Sequence, residues 1–406
     1  MSEALLAPPP DAWAPALEAV ASDPRALETS DIAARTAAFE RYRLSSANRE
    51  RPGRYWKIDL DTLHPAAARS AWRAARAEFS GGTARGVVRC DLATAAREEP
   101  AVFNKAFRRA LAFAPGKYAA LAQALHSGGA FIYLPADVCV DEPIVIAYRA
   151  EAATATFPYT LIVAEKGSSA TIIEKHESNE RELFVCGITE VIAESSSSVT
   201  HAAVQRLPED AIAFFTRAAS LQQSARLSWS LADLGAYVSG STVVAAIEGV
   251  GAESHIAAIF FPCGEQHVDF VTAVDHLAGQ SQSRTVVKSA AAGNGQARYL
   301  GNIRIAANEH GCDASLKDDA LLLSPGAHID SVPALEIAAN DVKAFHGATV
   351  GALDEEMVFY MTTRGLEPAA AKRMITLGFF EPAIEHFPTN ALRELLRSEL
   401  ARKIGA

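Results

Sequence analysis

Between residues 160 and 290 one short pattern keeps returning: small polar residues leading into an apolar or β-branched one. It occurs at "GSSA", "SSSSV", "QQSARL", "GAESHI" and "GQSQSRT", which end at Ala170, Val199, Leu227, Ile256 and Thr285. The steps are 29, 28, 29 and 29 residues. A fixed period in this range points to stacked coils. A single coil cannot bury its own inner face, and stacking neighbours creates a continuous core. The surrounding runs, "AFIYLPADVCV", "PIVIAY", "TLIVAEKG", "ATIIEKHE" and "FVCGITEVIAE", are short and rich in β-branched and aromatic residues. They are bounded by Gly, Pro and Ser, which is strand chemistry. The spacing predicts a mainly β chain with a right-handed parallel β-helix core over 129–346. A β-sandwich is the alternative.

Helical spacing flanks this core on both sides. Residues 1–128 are alanine-rich, and Ser22-Asp23-Pro24 reads as a cap with proline at the first helical position. "RYWKIDLDTL" interrupts the helices, and "KAFRRALAFAPGKYAALAQAL" resumes them. Residues 347–406 form a second helical region. There "LDEEMVFYMTTRG" carries acidic residues in a first turn and stops at Arg364-Gly365. "EPAAAKRMITLG" has Pro368 near its start and Gly378 past its end, and "TNALRELLRSELARKIG" closes the chain.

The chain has 406 residues and a net charge of -10, so neither nucleic acid nor an anionic membrane is expected as a partner. No apolar run reaches the roughly 18–20 residues needed to span a bilayer. "MSEALLAPPPDAW" has no positive n-region, and the cytoplasm is the expected compartment. The five cysteines are widely spaced without a Cys-x-x-Cys pair, which argues against a zinc ribbon. There is no phosphate-binding loop, because Gly116-Lys117 lacks the earlier glycine and is followed by tyrosine. G-x-S-x-G and H-E-x-x-H are also absent.

Few side chains are left to carry chemistry. His310-Gly311-Cys312 would share a strand face, and Cys263 and His267 could meet across a turn. Each pair falls short of the three or four ligands a metal site needs, and packing is the expected role. The adjacent carboxylates Asp318-Asp319 and Glu355-Glu356 read as solvated faces or helix-start charges. Asp269 and His276 are expected to be satisfied by hydrogen bonds. His346, in "DVKAFHGATVG", sits between an extended run and a Gly-Ala-Thr-Val-Gly segment that reads as a turn at the solenoid's end. Gly347 and Gly351 beside it would let a second backbone approach.

"QHVDFVTAVDH" (266–276), "LLLSPGAHIDSVPALEIAANDVKAFHGATVGALDEEMVFYMTTRG" (321–365) and "AAAKRMITLGFFEPAIEHFP" (369–388) occur in order. Together they resemble the SufB/SufD family of iron–sulfur cluster assembly proteins, and the SufD side above all. Weaker similarity extends back through "HSGGAFIYLPADVCVDEPI" and "RYWKIDLDTL". The resemblance implies a β-helix flanked by helices. It further implies a non-catalytic scaffold subunit that works with a SufB-like paralogue and a SufC-like ATPase in a SufBCD-type complex. A transient iron–sulfur cluster would form at the SufB interface. Residues 352–390 would dock the ATPase, with Phe359, Tyr360, Arg364, Gly365 and Phe379 as partner-binding candidates. His346 matches the histidine of D-V-K-C-x-H-G-A-T, which makes it the candidate cluster ligand. The cysteine position of that motif is Ala344 here, so any thiolate must come from elsewhere. Flavin binding, cluster type and acceptor stay open. A purely structural complex partner and a β-helix polysaccharide-active enzyme are the rival readings.

Overall fold

The computed structural model describes residues 13–30, 32–45 and 71–405. The segment "RYWKIDLDTL" lies outside the described residues, as does everything before Trp13. The first helices are α1 (Ala14–Ala21), α2 (Pro24–Thr29) and α3 (Ile32–Leu44). Asp23 caps α2 as expected: its carboxylate accepts the Arg25 N–H at 3.0 Å, and Pro24 takes the first helical position. Three short strands follow where only helix was expected: β1 (Ala71–Arg73), β2 (Ala75–Gly81) and β3 (Val88–Cys90). Then come α4 (Leu92–Glu98), α5 (Pro100–Ala106), a 3-10 turn at Ala110–Phe113 and α6 (Lys117–Leu125).

The chain next runs through β4 (Gly128–Leu134), β5 (Cys139–Tyr148), β6 (Thr154–Thr156), β7 (Tyr159–Ala164), β8 (Ser169–Glu177) and β9 (Phe184–Ala193). It continues through β10 (Ser198–Arg206), β11 (Ile212–Leu221), β12 (Arg226–Asp233), β13 (Val238–Ile247), β14 (Glu253–Phe260) and β15 (His267–His276). The last strands are β16 (Gln282–Ala291), β17 (Gln296–Ile305), β18 (Cys312–Leu322), β19 (His328–Ile337) and β20 (Val342–Ala352). Each coil contributes one strand to each of two parallel stacks. Sheet A runs β4-β7-β9-β11-β13-β15-β17-β19. Sheet B runs β5-β8-β10-β12-β14-β16-β18-β20. The result is a parallel β-solenoid of about eight turns.

The repeat has a backbone cause. Asp137, Gly167, Ser196, Ser224, Gly251, Gln280 and Gly311 all take the left-handed conformation, with φ between 55° and 72°. Each lies three residues before one row of in-register residues: Val140, Ala170, Val199, Leu227, Ser254, Ser283 and Ala314. The N–H of each turn residue donates to a carbonyl one coil on, for example Gly167 to Ser195 and Ser196 to Gln223. Small and polar residues recur there because they tolerate that backbone best. The expected anchors Ala170, Val199 and Leu227 therefore align. Ile256 instead pairs with Trp229, two residues off, and a two-residue offset keeps the same face inward.

Inward-facing residues of both sheets fill the lumen, including Ile146, Val191, Leu221, Trp229, Phe270 and Leu316. The outer face of sheet A packs against the N-terminal helices through Trp13, Val20, Phe39, Leu121, Tyr159 and Phe214. The C-terminal helices are α7 (Glu355–Thr363), α8 (Pro368–Ile384) and α9 (Asn390–Ile404). Helices α8 and α9 cover the outer face of sheet B, where Phe380, Ile384, Leu396 and Leu400 meet Val204, Ile259 and Phe261. That packing carries α8 through Gly378, where a stop was expected, and past Pro382.

The two ends of the solenoid differ. At the first coil β2 bridges both sheets, running parallel to β4 at Ala75–Arg76 and antiparallel to β5 at Ala77–Gly81. At the last coil, among the described residues, no strand pairs with the outer edges of β19 or β20.

Candidate functional site at the open end of the solenoid

His346 does not end a strand. Strand β20 stays in unbroken register with β18 from Val342 to Ala352, so the solenoid extends six residues past the expected break at 346. Neither Gly347 nor Gly351 is left-handed, and the Gly-Ala-Thr-Val-Gly segment is extended rather than a turn. A Cβ on Gly351 would meet nothing within 4 Å, so no neighbour inside the chain requires glycine there.

Register fixes where His346 points. It pairs with Leu316, which is fully buried in the lumen, so His346 belongs to the inward-facing set of β20 with Val342, Ala344, Ala348 and Val350. No further coil covers that set, and His346 is exposed. The facing inward set of β19 is Ile329, Ser331, Pro333, Leu335 and Ile337. His346 is therefore the one titratable side chain on the inward faces of the last coil. Ala344 is half-buried and packs against the lumen core, in line with its inability to act as a ligand. Phe345 faces outward and is 60 % exposed.

The other predicted contacts separate into two groups. Helix α7 has no buried residue. Its N-cap is Asp354, whose carboxylate accepts from Glu356 N at 2.9 Å and Met357 N at 3.2 Å, and Glu355 and Glu356 occupy the first turn as expected. Phe359 is 69 % exposed and Tyr360 is exposed beside it. The Arg364 guanidinium lies over the Tyr360 ring at 5.2 Å, and its Nη2 donates to the Tyr360 hydroxyl at 3.1 Å. Gly365 follows at φ +91°. Phe379 is different: it is half-buried on α8, with Lys288 Nζ 4.5 Å from its ring centroid. The structure thus groups Phe359 and Tyr360 on one exposed helix with Arg364 and Gly365 in the turn that ends it, and turns Phe379 toward the solenoid.

Among the described residues no group of three or more His, Cys, Asp or Glu side chains is arranged to hold a metal ion. His310 and Cys312 do not share a face, because left-handed Gly311 lies between them. His310 is exposed, while the Cys312 thiol is buried 3.4 Å from Ser281 Oγ. Cys263 lies under α9, its backbone N–H held by Gln266 at 2.9 Å. Asp269 pairs with Arg298 at 2.6 Å. His276 accepts or donates to Ser281 at 2.7 Å and Ser283 at 2.8 Å, and burial pushes its imidazole down to about 4. His276 is thus satisfied by hydrogen bonds as anticipated, whereas Asp269 is held by its ion pair with Arg298.

Asp318 and Asp319 are not solvated. They sit on opposite faces of β18, and both hold the last coil. Asp319, on the outer face, accepts from Lys288 at 2.7 Å and from Thr349 of β20 at 2.6 Å. Asp318, on the inner face, accepts from Ser331 of β19. Burial, with the Asp319 charge adding to it and Ser331 opposing it, pushes the Asp318 carboxyl up to about 7. Sequence reasoning also missed a buried cluster deeper in the lumen. Glu174 accepts from His176 at 2.6 Å and His201 at 3.2 Å, with Thr189 at 3.1 Å. Burial would raise the Glu174 carboxyl, but the two histidine hydrogen bonds outweigh it and hold the group well below its usual range. Inward parity in register with known core positions would have located Asp318 and Glu174. Composition alone treats such residues as surface.

The family profile described as SUF system FeS cluster assembly, SufBD core domain, matches residues 146–379. The chain belongs to the SufB/SufD family. It is SufD-like: it is 30 % identical over 331 residues to "Iron-sulfur cluster assembly protein SufD" of Bacillus subtilis, covering 79 % of this chain and 74 % of the relative. It is 26 % identical to "Iron-sulfur cluster assembly SufBD family protein" of Staphylococcus epidermidis, over 79 % of this chain and 70 % of that protein. The family match includes His346, α7 and most of α8, and it leaves the polysaccharide-active reading without support. Among the described residues no helix is long and apolar enough to cross a membrane.

Proposed function

We propose that this SufBD family chain is a non-catalytic, cytoplasmic scaffold subunit that works with a SufB-like paralogue and a SufC-like ATPase. In this reading the open end of the solenoid meets the paralogue, a nascent iron–sulfur cluster forms there as cargo, and His346 is this chain's ligand to it. One observation carries the proposal: a lone imidazole on the inward face of an uncovered last coil. The unpaired edges of β19 and β20 and the exposed Val332, Ile337, Phe345 and Val350 support a protein partner there. A neutral imidazole suits iron. The uncovered apolar and aromatic face of α7 is the proposed ATPase contact, through Phe359, Tyr360, Arg364 and Gly365. Phe379 would act there only through its support of α8.

The test is His346→Ala in cells that depend on this pathway, together with co-purification of the tagged chain. An exposed imidazole contributes within about 0.5 kcal/mol to stability, so fold and complex should survive. Cluster content should fall, whereas Cys312→Ser should change it little. Unchanged cluster content at normal protein level removes the ligand role. It would favour a purely structural partner, a reading that the alanine at 344 independently supports.

A further inference from the structure

Asp318 is a buried carboxyl with an unusual set of neighbours. Its Oδ2 accepts from Ser331, while Oδ1 is buried without a hydrogen-bond partner. Among the described residues it forms no ion pair. The positive charge of Lys288 is committed to Asp319 on the opposite face, and the nearby Tyr299 hydroxyl is engaged with Thr272 at 2.6 Å. An ionised carboxylate buried in this way costs several kcal/mol. The group is therefore stable only with a proton or with a cation beside Oδ1.

Position selects between them. Asp318 pairs with Ala348 of the last coil, two residues along from the Leu316–His346 pair. Neighbouring strands lie about 4.8 Å apart and two residues span about 6.6 Å, so the Asp318 and His346 Cα atoms are roughly 8 Å apart on one face. Two such side chains can reach one ion. Ala348 and His346 above Asp318 are exposed while Asp318 itself is fully buried, so the open mouth of the lumen is the solvent nearest to it. A carboxylate oxygen with an imidazole nitrogen is a donor set that divalent iron accepts.

We propose that Asp318 and His346 form a divalent-cation half-site in the mouth of the solenoid, with Asp318 Oδ1 as oxygen ligand and His346 as nitrogen ligand for ferrous iron. The half-site rests on the functional reading above, and a partner chain or water completes it. Ala344 gives the same face no thiolate, so the oxygen donor from the preceding coil takes on the role of second ligand.

The experiment is anaerobic calorimetric titration of the purified full-length chain with Fe2+. The wild type should bind one equivalent, and Asp318→Asn and His346→Ala should each weaken binding by about ten- to hundred-fold. Ala348→Lys places an ammonium beside Asp318 from an exposed position, so it should abolish uptake without lowering thermal stability. It keeps the test valid if Asp318→Asn misfolds. Absence of binding by the wild type overturns the half-site. So does wild-type affinity in folded Asp318→Asn or in Ala348→Lys. Failure of the functional reading looks different: the variants lose iron affinity, yet His346→Ala cells keep normal cluster content.

Discussion

The two ends of the solenoid are built from the same strands and turns, yet they treat polar groups in opposite ways. Toward the N-terminal end two buried charged groups, on α3 and β9, each have several partners. The fully buried Arg35 of α3 donates to the carbonyls of Ala124 (3.0 Å), His126 (2.8 Å), Ala26 (2.6 Å) and Ser30 (3.1 Å), tying the C-terminal ends of α2 and α6 together. Glu190 accepts from Arg108 N at 2.7 Å and Leu111 N at 3.0 Å, and also from the Tyr159 hydroxyl. At the last coil the strand edges are open and apolar side chains are exposed, and Asp318 just beneath it keeps one oxygen without a hydrogen-bond partner. Saturated polar networks are rigid and specify one arrangement, whereas unsaturated groups at an edge need something from outside. The contrast separates an end that is finished within the chain from one whose strand edges stay open.

The largest expected effect is at the finished end. Arg35→Met should cost about 5 kcal/mol in a denaturant titration, because three buried carbonyls and one part-buried carbonyl lose this donor together. A loss below about 1 kcal/mol would mean that the N-terminal helices are not held by this network, and the contrast between the ends would fail.

Next in size, pH should act with opposite sign on the two lumen carboxyls. The folded-state value of Glu174 is depressed, so its contribution is present above the ordinary range near 4 and is lost as pH falls. Glu174→Gln should therefore cost stability at pH 7, and the gap to the wild type should narrow in acid. The folded-state value of Asp318 is raised from 3.8 to about 7. Its contribution is fully present below about 4 and is lost as pH rises to 7, by up to about 4 kcal/mol. Asp318→Asn should accordingly be more stable than the wild type at pH 8 and nearly equal to it at pH 4. Urea midpoints across pH 4–8 measure both, and parallel curves would remove the distinction between satisfied and unsatisfied groups.

The solenoid was legible because its turn demands left-handed residues, and Gly, Ser, Gln and Asp at those turns leave a visible period. The N-terminal strands were not. "AWRAARAEFSG" reads as helix from its alanines, and only pairing with β6, β4 and β5 makes it extended. The extended run leading into His346 was legible, but its strand was read as ending there because glycines flank it. Pairing with β18 overrides that local preference. Asp318 and Glu174 were invisible as lumen residues because strand patterning expects apolar side chains facing inward. What betrays them is register with buried neighbours, which a single chain's sequence does not display.

The smallest effect divides the C-terminal helices along the same line. Phe379 on α8 packs against the sheet B cover, with Lys288 at its ring, and Phe380 beside it is fully buried. Phe359 on α7 is 69 % exposed. Phe379→Ala should thus cost about 1–2 kcal/mol through lost half-buried apolar area and a lost cation–π contact. Phe359→Ala should change stability by no more than about 0.5 kcal/mol, the level of an ordinary surface substitution. In a pull-down with the proposed SufC-like ATPase the order should reverse: Phe359→Ala loses it, while folded Phe379→Ala keeps most of it. Deleting residues 352–406 cannot make this distinction, because it strips α8 and α9 from sheet B and exposes core. Equal stability losses in the two alanine variants would mean that α7 is held by the chain itself, and the unfinished region would shrink to the edges of β19 and β20.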